Sequence, residues 1–168
     1  MRKIFFRLVI PLVFLGATWL YYNNLDSFSC NGPRSTAWVD ITSERLEEAL
    51  NSRKATSSTI SNLIQAQQKA TTNESSNPFA GAIVFPSELR TAEDKANSRY
   101  LNQQKEDTPK CLQDLQEKVV ELFYYDWKYY SAASSFDFDN MISYDNKIRN
   151  SIDEIQIQLD KIKAQYSK

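Results

Sequence analysis

A carboxylate pair, two cysteines and a dense aromatic run are the parts of this chain whose types and spacing could carry chemistry. Glu117 and Asp126 lie nine residues apart, and paired carboxylates can share acid and base roles across a glycosidic bond. On one helix nine residues turn through about 180°, so these two cannot face one substrate. Histidine is missing from all 168 residues. That removes Ser-His-Asp and Cys-His nucleophiles and the His-x-x-x-His zinc motif. No Ser-x-x-Lys occurs either. Cys30 and Cys111 alone do not complete a zinc shell. Asp137-Phe138-Asp139 opens like a calcium loop, but Met141 stands where the next oxygen ligand belongs and no glycine follows. The sequence therefore reads as no enzyme, with no metal and no cofactor.

What remains is contact chemistry. In Phe123-Tyr-Tyr-Asp-Trp-Lys-Tyr-Tyr130, Phe123, Trp127 and Tyr130 continue an apolar stripe from Leu112, Leu115, Val119 and Leu122. These seven fall within about 140° of helical arc, which assigns them to a core. Tyr124 points away from the stripe's centre and is the better contact residue. A second candidate is the stretch Pro78 to Pro86, with Phe79, Ile83, Val84 and Phe85 and no charge between Glu74 and Glu88. An exposed apolar loop marks a contact surface. The competing expectation is that these side chains fold back and cap the core.

The address of the chain follows from its start. Residues 8–22 carry no charge, with Arg2, Lys3 and Arg7 before them and Trp19, Tyr21 and Tyr22 near their end. Counted from Ile4 with Arg7 snorkelling, the helix spans roughly 28 Å, close to the hydrocarbon thickness of a bilayer. The Lys/Arg bias places the N-terminus in the cytoplasm and the rest outside. A signal peptide cut near Ser27-Phe28-Ser29 is the alternative, and acylation of Cys30 a third reading. All three export the domain. In an oxidising compartment Cys30 and Cys111 are the one possible intrachain pair, and the alternative is two unpaired thiols or an intermolecular bond. After the apolar segment, 17 Lys and Arg stand against 21 Asp and Glu, a balance near −4. No basic stripe is present, which argues against nucleic acid.

The elements that must position these residues read as helices. Three glycines in the whole chain are too few for the turns of a sheet protein. One helix is expected from Thr42 or Ser43 to about Ala70, or two with a break at the polar residues 51–59. A second runs from Ser87, with Leu89, Ala92, Ala96 and Tyr100 on one side. A third opens at Thr108-Pro109, and Ser131 to Ser135 interrupts it. The last holds a heptad register through Phe138, Met141, Ile148, Ile152, Ile155, Leu159, Ile162 and Tyr166, broken once by Asp145. The divisions are an anchor at 1–24, a stalk and loop at 25–41, and an extracytoplasmic domain at 42–168. The expected fold is all-α, an N-terminal transmembrane helix followed by an up-down bundle of about four helices closed by one disulfide. The expected function is a membrane-tethered interaction module: an adaptor, assembly factor or accessory subunit of an envelope complex. The alternative is a small-ligand-binding or sensing ectodomain, and an enzyme working without histidine is the third reading. A protein partner, and a homo-oligomer through residues 138–166, are the associations this pattern allows.

Overall fold

The computed structural model describes residue 30, residues 32–72 and residues 86–166. Four helices form: α1 (Pro33–Thr72), α2 (Ser87–Gln104), α3 (Gln113–Ser134) and α4 (Phe138–Tyr166), with a 3-10 turn, Lys110–Leu112, leading into α3. There is no strand among the described residues. The expected anchor at 1–24 and the apolar stretch with Phe79, Ile83, Val84 and Phe85 lie outside them. Within them, no helix is long and apolar enough to cross a membrane.

Contacts between helices fix the topology. Arg45 meets Gln103 while Thr59 meets Glu88, so α1 and α2 are antiparallel. Arg99 meets Asp126 and Gln103 meets Gln116, which turns α3 against α2. Lys118 meets Glu154, and α4 returns beside α3. The arrangement is an up-down four-helix bundle in which α3 packs closely on α2 and α4. The α1 backbone approaches α2 and α4 less closely and touches its diagonal, α3, little.

α1 starts nine residues earlier than the sequence suggested, so residues 33–41 are helix rather than loop. Pro33 suits a first helical position because its missing N–H has no partner to lose there. Ser35, Trp38, Val39, Thr42, Leu46 and Ala49 are all buried along it. Two hydroxyl residues on this stripe hid its period. Thr42 does not cap the helix, since it lies inside it and accepts a hydrogen bond from Gln103 Nε2 at 3.1 Å. Nor does α1 break at residues 51–59, because its inward polar side chains find polar partners there.

The end of α3 lies near the expected interruption. Phe136 adopts φ 56°, a conformation that normally favours glycine. Its N–H bonds to Ala133 O at 3.2 Å and that of Asp137 to Ala132 O at 2.9 Å, the pair of bonds of a Schellman cap. Phe136 packs on the distal core and edge-on to Phe138, contacts that offset the backbone cost.

Two apolar cores fill the bundle. The basal one is built on Trp38, Leu46, Val119, Leu122, Ile155 and Leu159. The distal one is built on Ile60, Leu63, Leu89, Ala96, Ala133 and Met141. Met141, Ile148, Ile155 and Leu159 of the α4 heptads are buried, and Phe138, Ile152, Ile162 and Tyr166 half-buried. The α4 seam is thus used inside one chain. At the base Cys30 and Cys111 are joined, with Cα atoms 5.8 Å apart across 81 residues. Tyr166 donates its hydroxyl hydrogen bond to Cys30 O at 2.6 Å, bringing the end of α4 to the same place.

Two stability experiments follow from this packing. Replacing both cysteines by serine reopens a long loop in the unfolded chain, and urea unfolding should show a loss of about 4 kcal/mol. Leu159→Asp places an unpaired charge in the basal core at a fully buried position. Circular dichroism should show either a drop of several kcal/mol or loss of the fold; an unchanged melt would place Leu159 outside the core.

Candidate functional site

The two apolar cores are separated by a level at which the inward side chains carry charge. Asp126 of α3 is 2% exposed and sits at the centre. Arg99 of α2 donates to its Oδ2 at 2.9 Å. Arg53 of α1 lies 3.5 Å from its Oδ1, an ion contact longer than a good hydrogen bond. Arg53 also pairs with Asp145 of α4, which in turn accepts from Arg149 at 2.7 Å. The guanidinium of Arg53 lies 4.1 Å from the centre of the Tyr129 ring. Thr56 and the Tyr130 hydroxyl, 3.1 Å apart, close the level. All four helices contribute to it. Burial pushes the Asp126 carboxyl up, against the opposing pull of Arg99 and Arg53. Burial also pushes the Tyr129 phenol up, to about 12.

Nearer the base is an amide level. Gln103 is fully buried. Its Nε2 donates to Thr42 and to Gln116 Oε1 at 2.8 Å, and its Oε1 accepts from Arg45 at 2.8 Å. Arg45 reaches on to Glu106 at 2.8 Å. These interlocked bonds satisfy a group that would otherwise be costly to bury.

Between α1 and α2, beside the charged level, runs an open polar groove of about 1120 Å³. Ser52, Ala55, Thr56, Ala92 and Ser98 line its walls, and Arg99 reaches it from the buried level. It contains no aromatic residue, and Glu48, Glu88 and Asp94 lie along it.

The outer surface of α2, α3 and α4 carries an aromatic belt. Tyr100 stacks on Trp127 with centroids 5.8 Å apart and planes 14° from parallel. Tyr124 contacts both, at 5.6 and 6.1 Å. The belt continues through Tyr125 at 5.7 Å to Tyr144 at 6.1 Å. All five rings are half-buried. Lys128 lies over Trp127 at 4.4 Å and Lys147 over Tyr125 at 4.7 Å. At the α3–α4 corner the belt meets a small dent of about 160 Å³.

The sequence-derived candidates distribute unevenly over these features. Tyr124 stands in the middle of the belt. Phe123 and Tyr130 are buried as expected, whereas Trp127 is half-buried and divides its faces between the distal core and the belt. Glu117 is exposed and Asp126 buried, so the pair is not brought together. Asp137 caps α4, its Oδ1 accepting from Asn140 N–H at 3.2 Å and its Oδ2 from Asn140 Nδ2 at 2.6 Å. No group of three or more cysteine or carboxylate side chains among the described residues is placed to hold a metal ion. Arg53, Arg99, Gln103, Tyr100 and Tyr144 escaped the sequence reading as site residues. The usable signal was spacing: Leu89, Ala92, Ala96, Arg99 and Gln103 follow alternating steps of three and four.

Asp126→Ala strands Arg99 inside the bundle and leaves Arg53 with Asp145 alone, and should cost about 3–5 kcal/mol in chemical unfolding. Replacing Arg53, Arg99 and Asp126 together by Met, Met and Leu should recover most of that loss. Tyr129 gives a pH test. Its phenol ionises later in the folded protein than near 10 in the unfolded chain, so stability should fall as pH rises through 10 toward 12. Tyr129→Phe should remove that part of the alkaline loss and the latest step of the ultraviolet phenolate titration. The chain matches no protein-family model, no curated protein and no solved structure.

Proposed function

We propose that the chain is a membrane-tethered interaction module, displayed on the extracytoplasmic side as an adaptor, assembly factor or accessory subunit of an envelope complex. The observation that carries this reading is the aromatic belt. Tyr and Trp are the residues that most often anchor protein interfaces, because they bury large rigid areas while their polar tips still find partners. Five such rings touch one another across three helices, each left half open. The tether is supported by the charge-free run of residues 8–22 and the basic residues before it. The disulfide agrees with an oxidising compartment.

Binding of a small ligand is the second reading, and the α1–α2 groove is the feature that favours it. Its volume suits a ligand, but it lies open to solvent and has no aromatic wall to enclose one.

Tyr124→Ser and Tyr144→Ser, made in the full chain, should leave the circular dichroism unchanged and lower recovery of the captured membrane complex about tenfold. If recovery is unchanged with them and lost instead when Ala55→Trp and Ser98→Trp fill the groove, the belt is not the docking surface.

A further inference from the structure

We infer that the belt and the dent at its α3–α4 end take an acidic segment of a partner protein, with a partner carboxylate meeting Lys128. This rests on the reading of the belt as a docking surface and adds the chemistry of what docks there. The argument is one of charge. The chain after residue 22 is acidic overall, yet the ammonium groups set against the belt are Lys128 and Lys147. Lys128 lies over Trp127 and Tyr124, and Lys147 over Tyr125 and Tyr144. Neither forms an ion pair among the described residues. None of the carboxylates nearby pairs with either lysine, although Glu121 and Asp137 are held by neutral donors and keep their charge. Glu121 accepts from the Tyr125 hydroxyl, Asp137 is held by Asn140, and Glu154 pairs with Lys118.

An ammonium over a partly exposed ring is held weakly. A carboxylate can draw it off and bare the ring for an apolar contact, so charge and aromatic area become available together. The dent adds hydroxyl and amide groups beside Lys128 for the end of that segment. It is lined by Lys128, Ser131, Ser135, Asn140, Tyr144 and the already bonded Asp137, and its roughly 160 Å³ suits one side chain. Two lysines on an acidic domain do not make a track for phosphates, and the belt's aromatic area favours a polypeptide over a nucleic acid. The α1–α2 groove has cations of its own in Arg45, Lys95 and Arg99, but Glu48, Glu88 and Asp94 match them in number and it holds no aromatic ring.

The test uses the full chain in detergent, labelled with 5-fluorotryptophan. Its three tryptophans give separate fluorine resonances, and Trp127→Phe identifies the one of interest. A random glutamate–tyrosine copolymer should move the Trp127 resonance saturably, and a lysine–tyrosine copolymer should not. Lys128→Glu with Lys147→Glu should weaken that response about tenfold or more, with the melting temperature unchanged. An unmoved resonance, or an equal response to the basic copolymer, overturns the proposal. Capture of the membrane complex separates the two levels. A complex lost with Tyr124→Ser but kept with both lysine reversals rejects the acidic partner and leaves the docking surface. A complex kept in every variant rejects the docking surface itself.

Discussion

The Arg53–Asp126–Arg99 contact is the constraint on which the rest of this bundle depends. Apolar side chains are interchangeable in depth: a helix can slide by one turn and still bury leucine against leucine. A buried carboxylate cannot accept that, because leaving its guanidiniums costs far more than leaving a methyl group. Asp126 therefore fixes α3 against α2 through Arg99 and against α1 through Arg53. Arg53 carries the constraint on to α4 through Asp145. Between Ala49 and Ile60, α1 buries no apolar side chain, so over those turns its position is set by these polar contacts. The Gln103 level repeats the logic with neutral groups. Stability comes from the apolar cores on either side, and alignment comes from the polar levels between them.

How much of this could be read from the sequence depended on whether a buried position was filled by an apolar residue. The Leu112-to-Tyr130 stripe and the α4 heptads were legible because carbon fills nearly every inward position. α1 was drawn too short because Ser35 and Thr42 occupy buried positions and read as loop and cap. The polar run at 51–59 suggested a break, and Asp145 an irregularity in the heptads. Both are places where a helix passes the charged level. Arg99 and Gln103 stood at the correct spacing after Ala96, yet residue type argued against burial, since such groups go inside only when paired. Their partners lie 27 and 61 residues away in sequence, and no local pattern reveals a pairing at that distance.

The surface divides by the same geometry. α3 is the central helix, and its aromatic run is sorted by angle into three uses. Phe123 and Tyr130 go inward, Tyr124 and Trp127 lean toward α2, and Tyr125 leans toward α4. The run is thus partly core and partly belt, with Tyr100 and Tyr144 extending it across the neighbouring helices. The loosely packed flank of α1 leaves the polar groove instead. The two faces differ in chemistry, one aromatic with cations laid over its rings, the other hydroxyl-lined and edged with charges of both signs.

The Cys30–Cys111 bond also has a mechanical meaning. A pull applied through the N-terminal segment reaches residue 30 first. Without the bond, that force would enter α1 alone and peel it from the bundle turn by turn, because α1 is the helix whose backbone lies farthest from its neighbours. With the bond in place, the same force is divided between the start of α1 and the residues that lead into α3, the most closely surrounded helix. The load therefore enters two helices at once rather than one. The domain is thus better able to hold its shape under a pull applied at residue 30.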